Sequence, residues 1–383
     1  MKSIIVLSLF ILLSCQNTTV NAPEKPVSSE SEDTKDLPLS KINLPEGYQI
    51  EVYASDVENA RSMALSPSGT LYVGTRSKGD VYALRDTDGD QIVDEKFVLM
   101  TEGNMPNGVA FKDGDLYVAE VDRILKFSDI EDKLEDPGTP EVIYDKYPKE
   151  KHHGWKFIAF GPDDKLYVPV GAPCNICESD DQVFASITRI NPDGTGMEIV
   201  QSGVRNTVGF TWHPESGDLW FTDNGRDMLG DDIPACELNR ANADGMHFGY
   251  PYCHQGDLSD PDFGSDSPCS DYTKPAQNLG PHVAPLGIEF THGTQFEADF
   301  KETAFMAEHG SWNRSKKIGY RITAVPLDNN YESQGYDVFA SGWLDEETDE
   351  VWGRPVDIEW MSDGSMLVSD DFADVIYRIS KKG

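Results

Sequence analysis

The sequence predicts an all-β chain folded as a six-bladed β-propeller. Three observations carry this: one strand–turn–strand pattern occurs six times, its spacing starts near the length of a four-stranded blade, and long helical patterns are absent. The copies are "SMALSPSGTLYVGT" from Ser62, "NGVAFKDGDLYVAE" from Asn107, "KFIAFGPDDKLYVPVG" from Lys156, "VGFTWHPESGDLWFTD" from Val208, "LGIEFTHGTQFEADFKETAFMAEHG" from Leu286 and "VDIEWMSDGSMLVSDD" from Val356. Successive starts lie 45, 49, 52, 78 and 70 residues apart. Each copy joins an apolar strand through a Pro, Asp or Gly turn to a second strand of the Leu-Tyr-Val type. A third strand often follows, as in "GDVYALR", "SITRIN" and "DVIYRIS". "GYQIEVYAS", 47–55, is a spare strand before the first copy; it can complete the last blade and close the ring, leaving few open edges. A pair of β-sandwiches competes, but gives no reason for one turn to recur six times. The long connections at 224–282 and 291–305 are where such a fold places function.

The elements before the repeats set the compartment. Residues 1–15, "MKSIIVLSLFILLSC", read as a lipoprotein-type signal peptide: one Lys, an apolar run from Ile4 to Leu13 too short to span a bilayer, then Ser14 and Cys15. "LLSC" looks like a bacterial lipobox with Cys15 as the lipid-modified residue; an ordinary signal peptide with an incidental Cys is the alternative. The expectation is secretion across the inner membrane and a lipid anchor at the periplasmic face or the outer membrane, as the sole membrane contact. Residues 16–44 are rich in Ser, Thr, Pro and acids and read as a flexible tether. Residues 45–383 form the propeller domain.

Charge and cysteines narrow the function. Lys and Arg number 32 against 67 Asp and Glu, a net charge of −35. Such a chain repels phosphate backbones, which argues against nucleic-acid binding. Outside the cytoplasm disulfides are expected. Beyond Cys15 there are five cysteines. Cys174–Cys177 and Cys253–Cys269 are local candidates with Cys236 left over, although spacing alone does not fix connectivity. "CNIC" is followed by Glu178, so it is no c-type haem attachment site; a redox pair or half a zinc site remains open.

Polar residues stand at matching strand entries. Arg61 precedes the first copy, Asn107 opens the second, His152 and His153 precede the third, Arg205 and Asn206 the fourth, His282 the fifth and Arg354 the sixth. One arginine there is an ordinary surface ion pair. Three, with asparagines and histidines, describe a cationic ring at one mouth of the channel, suited to a small, planar or polyanionic ligand. "TDNGRDMLGDD", 222–232, offers backbone carbonyls around Gly225 for a hard cation such as Ca2+, or is an Asn-Gly turn. "DTDGDQIVDE", 86–95, is half an EF-hand loop, with Gln91 in place of its glycine and Glu95 too early, or an acidic hairpin tip. "AEHGSWNRSKKIGYRI", 307–322, packs His309, Trp312 and Arg314 together; Trp312 is either core or a cover for a flat ligand.

Over residues 45–383 the chain resembles the pyrroloquinoline quinone (PQQ)-dependent sugar dehydrogenases of the glucose/sorbosone dehydrogenase group, with L-sorbosone dehydrogenase-like members nearest. The resemblance rests on "HHGWKFIAFGPDDKLYVPVG", "VRNTVGFTWHP", "ELNRANADGMHFGYPYC", "AEHGSWNR" and "WGRPVDIEWMSDGSMLVSDD". It implies a six-bladed propeller, His153 as general base, Arg205 and Asn206 at the quinone, and Gly225 and Arg226 as the Ca2+ loop. It also implies Arg314 and Arg354 at the cofactor, with Arg61 and Asn107 lining the same pocket. Hydride then passes from a sugar, or a sugar-derived aldehyde, to PQQ polarised by Ca2+.

The chain departs from the soluble glucose dehydrogenase pattern. His152 stands where those enzymes have Asp, and "GPHVAP" lacks their Trp. The substrate side, with His152, His282, His309 and the "APCNICES" loop, is therefore expected to select another sugar or aldehyde. With no haem motif, electrons leave to a separate acceptor, a cytochrome or a quinone. The competing readings are a lactonase-type propeller hydrolase, a binding propeller without chemistry, and an inactive relative.

Overall fold

The computed structural model describes residues 37–291 and 293–383. The signal-peptide and lipidation readings lie outside the described residues, as does tether 16–36. Six blade sheets follow one another, as the repeats predict: five have four antiparallel strands, and blade 3 has four with a fifth added at its edge. The innermost strands of blades 1 to 6 are Ala60–Leu65, Gly108–Lys112, Ala159–Phe160, Phe210–Trp212, Pro285–Phe290 and Pro355–Trp360. The spare strand, Tyr48–Ala54, pairs antiparallel with Val375–Lys381 from Tyr48↔Lys381 to Ala54↔Ile376, and completes blade 6. No helix among the described residues is long and apolar enough to cross a membrane.

The expected boundary at residue 44 moves. Leu37, Leu39, Ile42 and Leu44 pack on the core shared by blades 5 and 6, and Asn43 bridges Ser341. Four apolar residues scattered among polar ones carry no strand or helix period, so the sequence hid this docking. The wide spacings also resolve. Blade 4 carries an insertion between Ala235–Ala241 and Gln277–Pro281; its Met246–His247 adds a parallel edge to blade 3. A hairpin, Leu344–Asp345 with Glu350–Val351, precedes blade 6. The 291–305 connection leaves the far end of the inner strand of blade 5, away from the strand entries. There Phe296 packs on Phe305 and Trp360, so this connection serves the core rather than a site.

The second strand of each blade is sandwiched on both faces, which is why it reads as continuous apolar sequence. In Leu71–Thr75, Leu166–Val170 and Leu219–Asp223 all five residues are buried. Core clusters straddle neighbouring blades, as where Tyr72 and Leu99 meet Leu116, Val118 and Phe127. Each such side chain contributes roughly 1.5–3 kcal/mol.

Polar stitches join neighbouring blades around the ring. The Asp357 carboxylate accepts the Met63 N–H at 2.8 Å, and Ser369 Oγ donates to the Arg61 carbonyl at 2.7 Å. Thr222 Oγ1 donates to the Leu286 carbonyl at 2.7 Å. Beside it the backbones approach so closely that a Cβ on Gly209 meets Leu286 O at 2.0 Å and Gly287 Cα at 2.7 Å. Gly209→Ala is therefore expected to destabilise the protein by about 3 kcal/mol, read as the shift in denaturant midpoint; an unchanged midpoint contradicts this inter-blade contact.

Candidate active site

Because neighbouring strands are antiparallel, the exit of each second strand lies at the same end as the entry of the first. The pairs Ala60↔Thr75, Pro285↔Glu308 and Pro355↔Asp370 show it. Entries and exits together surround a cavity of about 350 Å3. The entries contribute Arg61, His153, Arg205, Asn206, His282 and Arg354 to its wall. The exits and their loops contribute Arg76, Asn224, Gly225, Asp227, His309 and Trp312. Arg76, Trp155 and Asp371 are the residues that reasoning on strand entries missed; the antiparallel rule, applied to second-strand exits, points to Arg76 and Asp371.

His153 is buried, with φ of +50°, and its Nδ1 lies 2.9 Å from the Ala172 carbonyl. A carbonyl only accepts, so Nδ1 carries the proton and Nε2 is left as the basic nitrogen. Burial, then the Arg205 guanidinium and His152, pushes its pKa down to about 2. A neutral imidazole follows over the whole physiological range. In the unliganded protein, nitrogen-detected NMR should show the Nδ1–H tautomer unchanged from pH 8 to pH 5. A ring that titrates near 6.5 contradicts the geometry. The sign for stability is that unfolded His153 takes up a proton below about pH 6.5 while the folded one does not, so this group weakens the fold as pH drops from there.

His152 is exposed, absent from the cavity wall, and packs its ring on that of His153 at 4.1 Å. His282 lines the cavity and donates from Nε2 to the Gly230 carbonyl at 2.8 Å. His309 lines the opposite wall; its Nε2 lies 2.7 Å from Asp371, whose other oxygen is 2.6 Å from Arg61 Nη1. Burial lowers the His309 pKa to about 4, against the pull of Asp371. Although burial pushes the Asp371 carboxyl up, His309, Arg61 and Arg354 hold it well below the usual carboxylate range.

Three expected contacts are made elsewhere. Asn107 is fully buried beneath the cavity: its Oδ1 accepts from Arg61 Nε at 2.6 Å, and its Nδ2 donates to Ser62 and the Lys156 carbonyl. It positions Arg61 rather than lining the pocket. The Arg226 side chain turns into a buried cluster with Asp260, to which His254 also bonds. Arg314 points outward to the Asp231 carbonyl at 3.2 Å and Asp232 at 3.4 Å. Of the expected cation loop, Asn224, Gly225 and Asp227 border the cavity and Arg226 does not. Trp312 is 71% exposed at the rim, not core.

The charge of the wall is lopsided. Arg205 donates to the Asn175 and Asn224 carbonyls and lies 3.3 Å from Asp227. Arg354 donates to the His309 and Gly310 carbonyls and makes no salt bridge to a carboxylate among the described residues. The Arg76 guanidinium lies 4.1 Å over the Trp155 ring and makes no hydrogen bond or ion pair among the described residues. Burial and the neighbouring arginines lower its pKa. Trp155 Nε1 is buried without a partner among the described residues.

Elsewhere, Cys174–Cys177 and Cys253–Cys269 are disulfides, and Cys236 is a free buried thiol whose pKa burial raises to about 11. Asp86, Asp88 and Asp94 bring carboxylate oxygens within 4.8 Å of one another at an exposed hairpin tip. Asp86 accepts the Gly89 and Gln91 N–H groups there.

Residues 112–311 match the family described as Glucose / Sorbosone dehydrogenase, and residues 258–382 one described as TrAA12-like. A Borreliella burgdorferi protein described as uncharacterized is 32% identical over 353 residues, 89% of this chain and 91% of that one. A Coprinopsis cinerea pyrroloquinoline quinone-dependent pyranose dehydrogenase is 30% identical over 127 residues, 28% of this chain and only 16% of that one. The holo PQQ domain of a C. cinerea pyranose dehydrogenase superposes with a TM-score of 0.73 at 19% identity, covering 89% of this chain and 97% of that one. The calcium structure of a Trichoderma reesei family AA12 protein gives 0.77 at 18%, covering 89% and 97%. At these identities the superpositions speak for the fold.

Proposed function

The chain belongs to the glucose/sorbosone dehydrogenase family, and on that premise we propose that it is a PQQ- and Ca2+-dependent oxidoreductase acting on a sugar or sugar-derived aldehyde. One observation carries the reading: four arginines converge on one cavity of a chain with net charge −35, and two of them, Arg76 and Arg354, make no salt bridge to a carboxylate among the described residues, sharing only the field of Asp371. Guanidinium groups left without a direct carboxylate partner suit a ligand bearing several carboxylates. The orphaned Trp155 N–H suits the same acceptor-rich ligand. Ca2+ has hard oxygen donors in the Gly225 backbone and the Asp227 carboxylate.

When bound, PQQ with Ca2+ supplies an electrophilic quinone that accepts two electrons as hydride. The chain's own residues do the rest. Arg61, Arg76, Arg205 and Arg354 neutralise and orient carboxylates. His153 Nε2 takes the proton of the substrate hydroxyl, with Ala172 fixing the ring. Negative charge placed against Arg205 removes part of what depresses the His153 pKa, so loading the site strengthens the base. The substrate gives up one hydride and one proton and becomes a carbonyl compound. A separate electron acceptor and the lipid anchor belong to the same proposal.

A lactonase-type hydrolase holds its metal with several carboxylates and asparagines; this wall offers one carboxylate, Asp227, with Asn206 and Asn224, among four arginines that oppose a bare cation. Adding PQQ and Ca2+ to the purified protein tests the proposal. An absorption change with dye reduction on a sugar panel supports it; binding without reduction points to an inactive relative, and no binding to a hydrolase or a binding propeller.

A further inference from the structure

A second cavity, about 440 Å3, opens over blade 3 at the same end of the ring. It is bounded by the 172–185 segment that leaves Leu166–Val170, by the end of Glu198–Ser202, and by residues 247–252 of the blade 4 insertion. The two cavities share a wall. Ala172 lines the second cavity and its carbonyl fixes His153 in the first. A small space between them is bordered by Gly203 and Tyr250 on one side and by Arg205, Asn224 and Gly225 on the other.

The lining is aromatic on one side and oxygen-bearing on the other. Tyr252 lies parallel to Tyr272 at 5.9 Å, and His247 lies 4.8 Å from the same Tyr272 ring, so the aromatic wall is backed from behind. Facing it, Glu178, Asp181 and Gln182 are exposed, and the lining contains no Lys or Arg. The walls are fixed before any ligand arrives: Tyr252 Oη donates to Glu178 at 2.9 Å, Tyr250 Oη accepts the Cys177 N–H at 3.0 Å, and Cys174–Cys177 and Cys253–Cys269 brace the two segments.

We propose that this cleft is a second subsite that holds the non-reacting residues of a neutral oligosaccharide whose terminal unit enters the arginine-lined cavity. The proposal rests on the dehydrogenase reading and names its substrate class. A pyranose ring has an apolar C–H face, which stacks on an aromatic ring, and a rim of hydroxyl donors, which carboxylates and amides accept. The acidic rim repels anions, which the first cavity attracts, so the two cavities sort their ligands by charge. Binding energy from the remote units holds the terminal unit in place for reaction.

Calorimetry on the protein without added cofactor tests it, with maltotriose, cellotriose, xylotriose and glucose as probes. At least one trisaccharide should bind ten or more times tighter than glucose. Tyr252→Ala should weaken that binding tenfold or more, and Glu178→Ala, an exposed site whose change leaves the fold intact, threefold or more. Trisaccharides that bind no tighter than glucose overturn the proposal, as does wild-type affinity in both variants; if Tyr252→Ala fails to fold, Glu178→Ala decides. The isotherm needs no turnover. Trisaccharide binding without PQQ binding removes the dehydrogenase reading and keeps the cleft; PQQ turnover without trisaccharide binding removes the cleft alone.

Discussion

His153→Ala should bind PQQ and Ca2+ as the wild type does and lose about 10²–10⁴-fold in kcat, the usual contribution of a positioned general base. The expectation comes from geometry. His153 is the imidazole in the cavity wall whose Nδ1–H is committed to a backbone carbonyl, so its other nitrogen is a fixed acceptor. His309 does not replace it, because its Nε2 is held by Asp371 on the opposite wall. Alanine removes the base without leaving a buried charge, so the fold should persist. His152→Ala is the contrast: exposed and off the wall, it should change kcat less than tenfold. Steady-state rates with a dye acceptor, measured beside the cofactor absorption, separate loss of the base from loss of the cofactor. Wild-type kcat in His153→Ala removes the assignment.

Arg76→Ala should weaken PQQ binding by about 10–100-fold, the equivalent of losing one or two charge-assisted hydrogen bonds. Its guanidinium makes no salt bridge among the described residues, and Asp371, whose field it feels, keeps Arg61 and His309 as direct partners, so removing it orphans no carboxylate and thermal stability should hold or rise. Arg314→Ala should leave PQQ affinity within twofold, since that side chain bonds Asp231 and Asp232 outside the wall. Equilibrium titration of both variants gives the ratio. Equal losses in the two would mean that charge anywhere near the mouth is enough, and that the cavity is not the binding site.

The fold was legible because propeller strands advertise themselves. Six apolar second strands, three of them carrying Leu-Tyr-Val, leave a repeated signature, and "GYQIEVYAS" stood out as the strand with no blade of its own. The site was legible in half. Entry residues such as Arg61, Arg205 and Arg354 sit at a fixed place relative to each repeat, so counting repeats aligned them. Exit residues such as Arg76 need the antiparallel register as well, which the sequence does not print. Asn107, Arg226 and Arg314 stand at the positions the repeats mark, but their side chains bond away from the cavity. Orientation there is decided by Arg61, Asp260 and Asp231, partners distant in sequence or supplied by an inserted loop. The docking of Leu37–Leu44 was missed because its apolar residues have no period to detect.

The central claim is that the arginine-lined cavity binds a polycarboxylate quinone. Titrating PQQ with Ca2+ into the purified protein, and following both the cofactor absorption and the melting temperature, tests it most directly. The account predicts saturation at one equivalent and a melting temperature that rises with ligand concentration, because a ligand that binds only the folded state stabilises it. An unchanged spectrum and an unchanged melting temperature at excess PQQ and Ca2+ would contradict it.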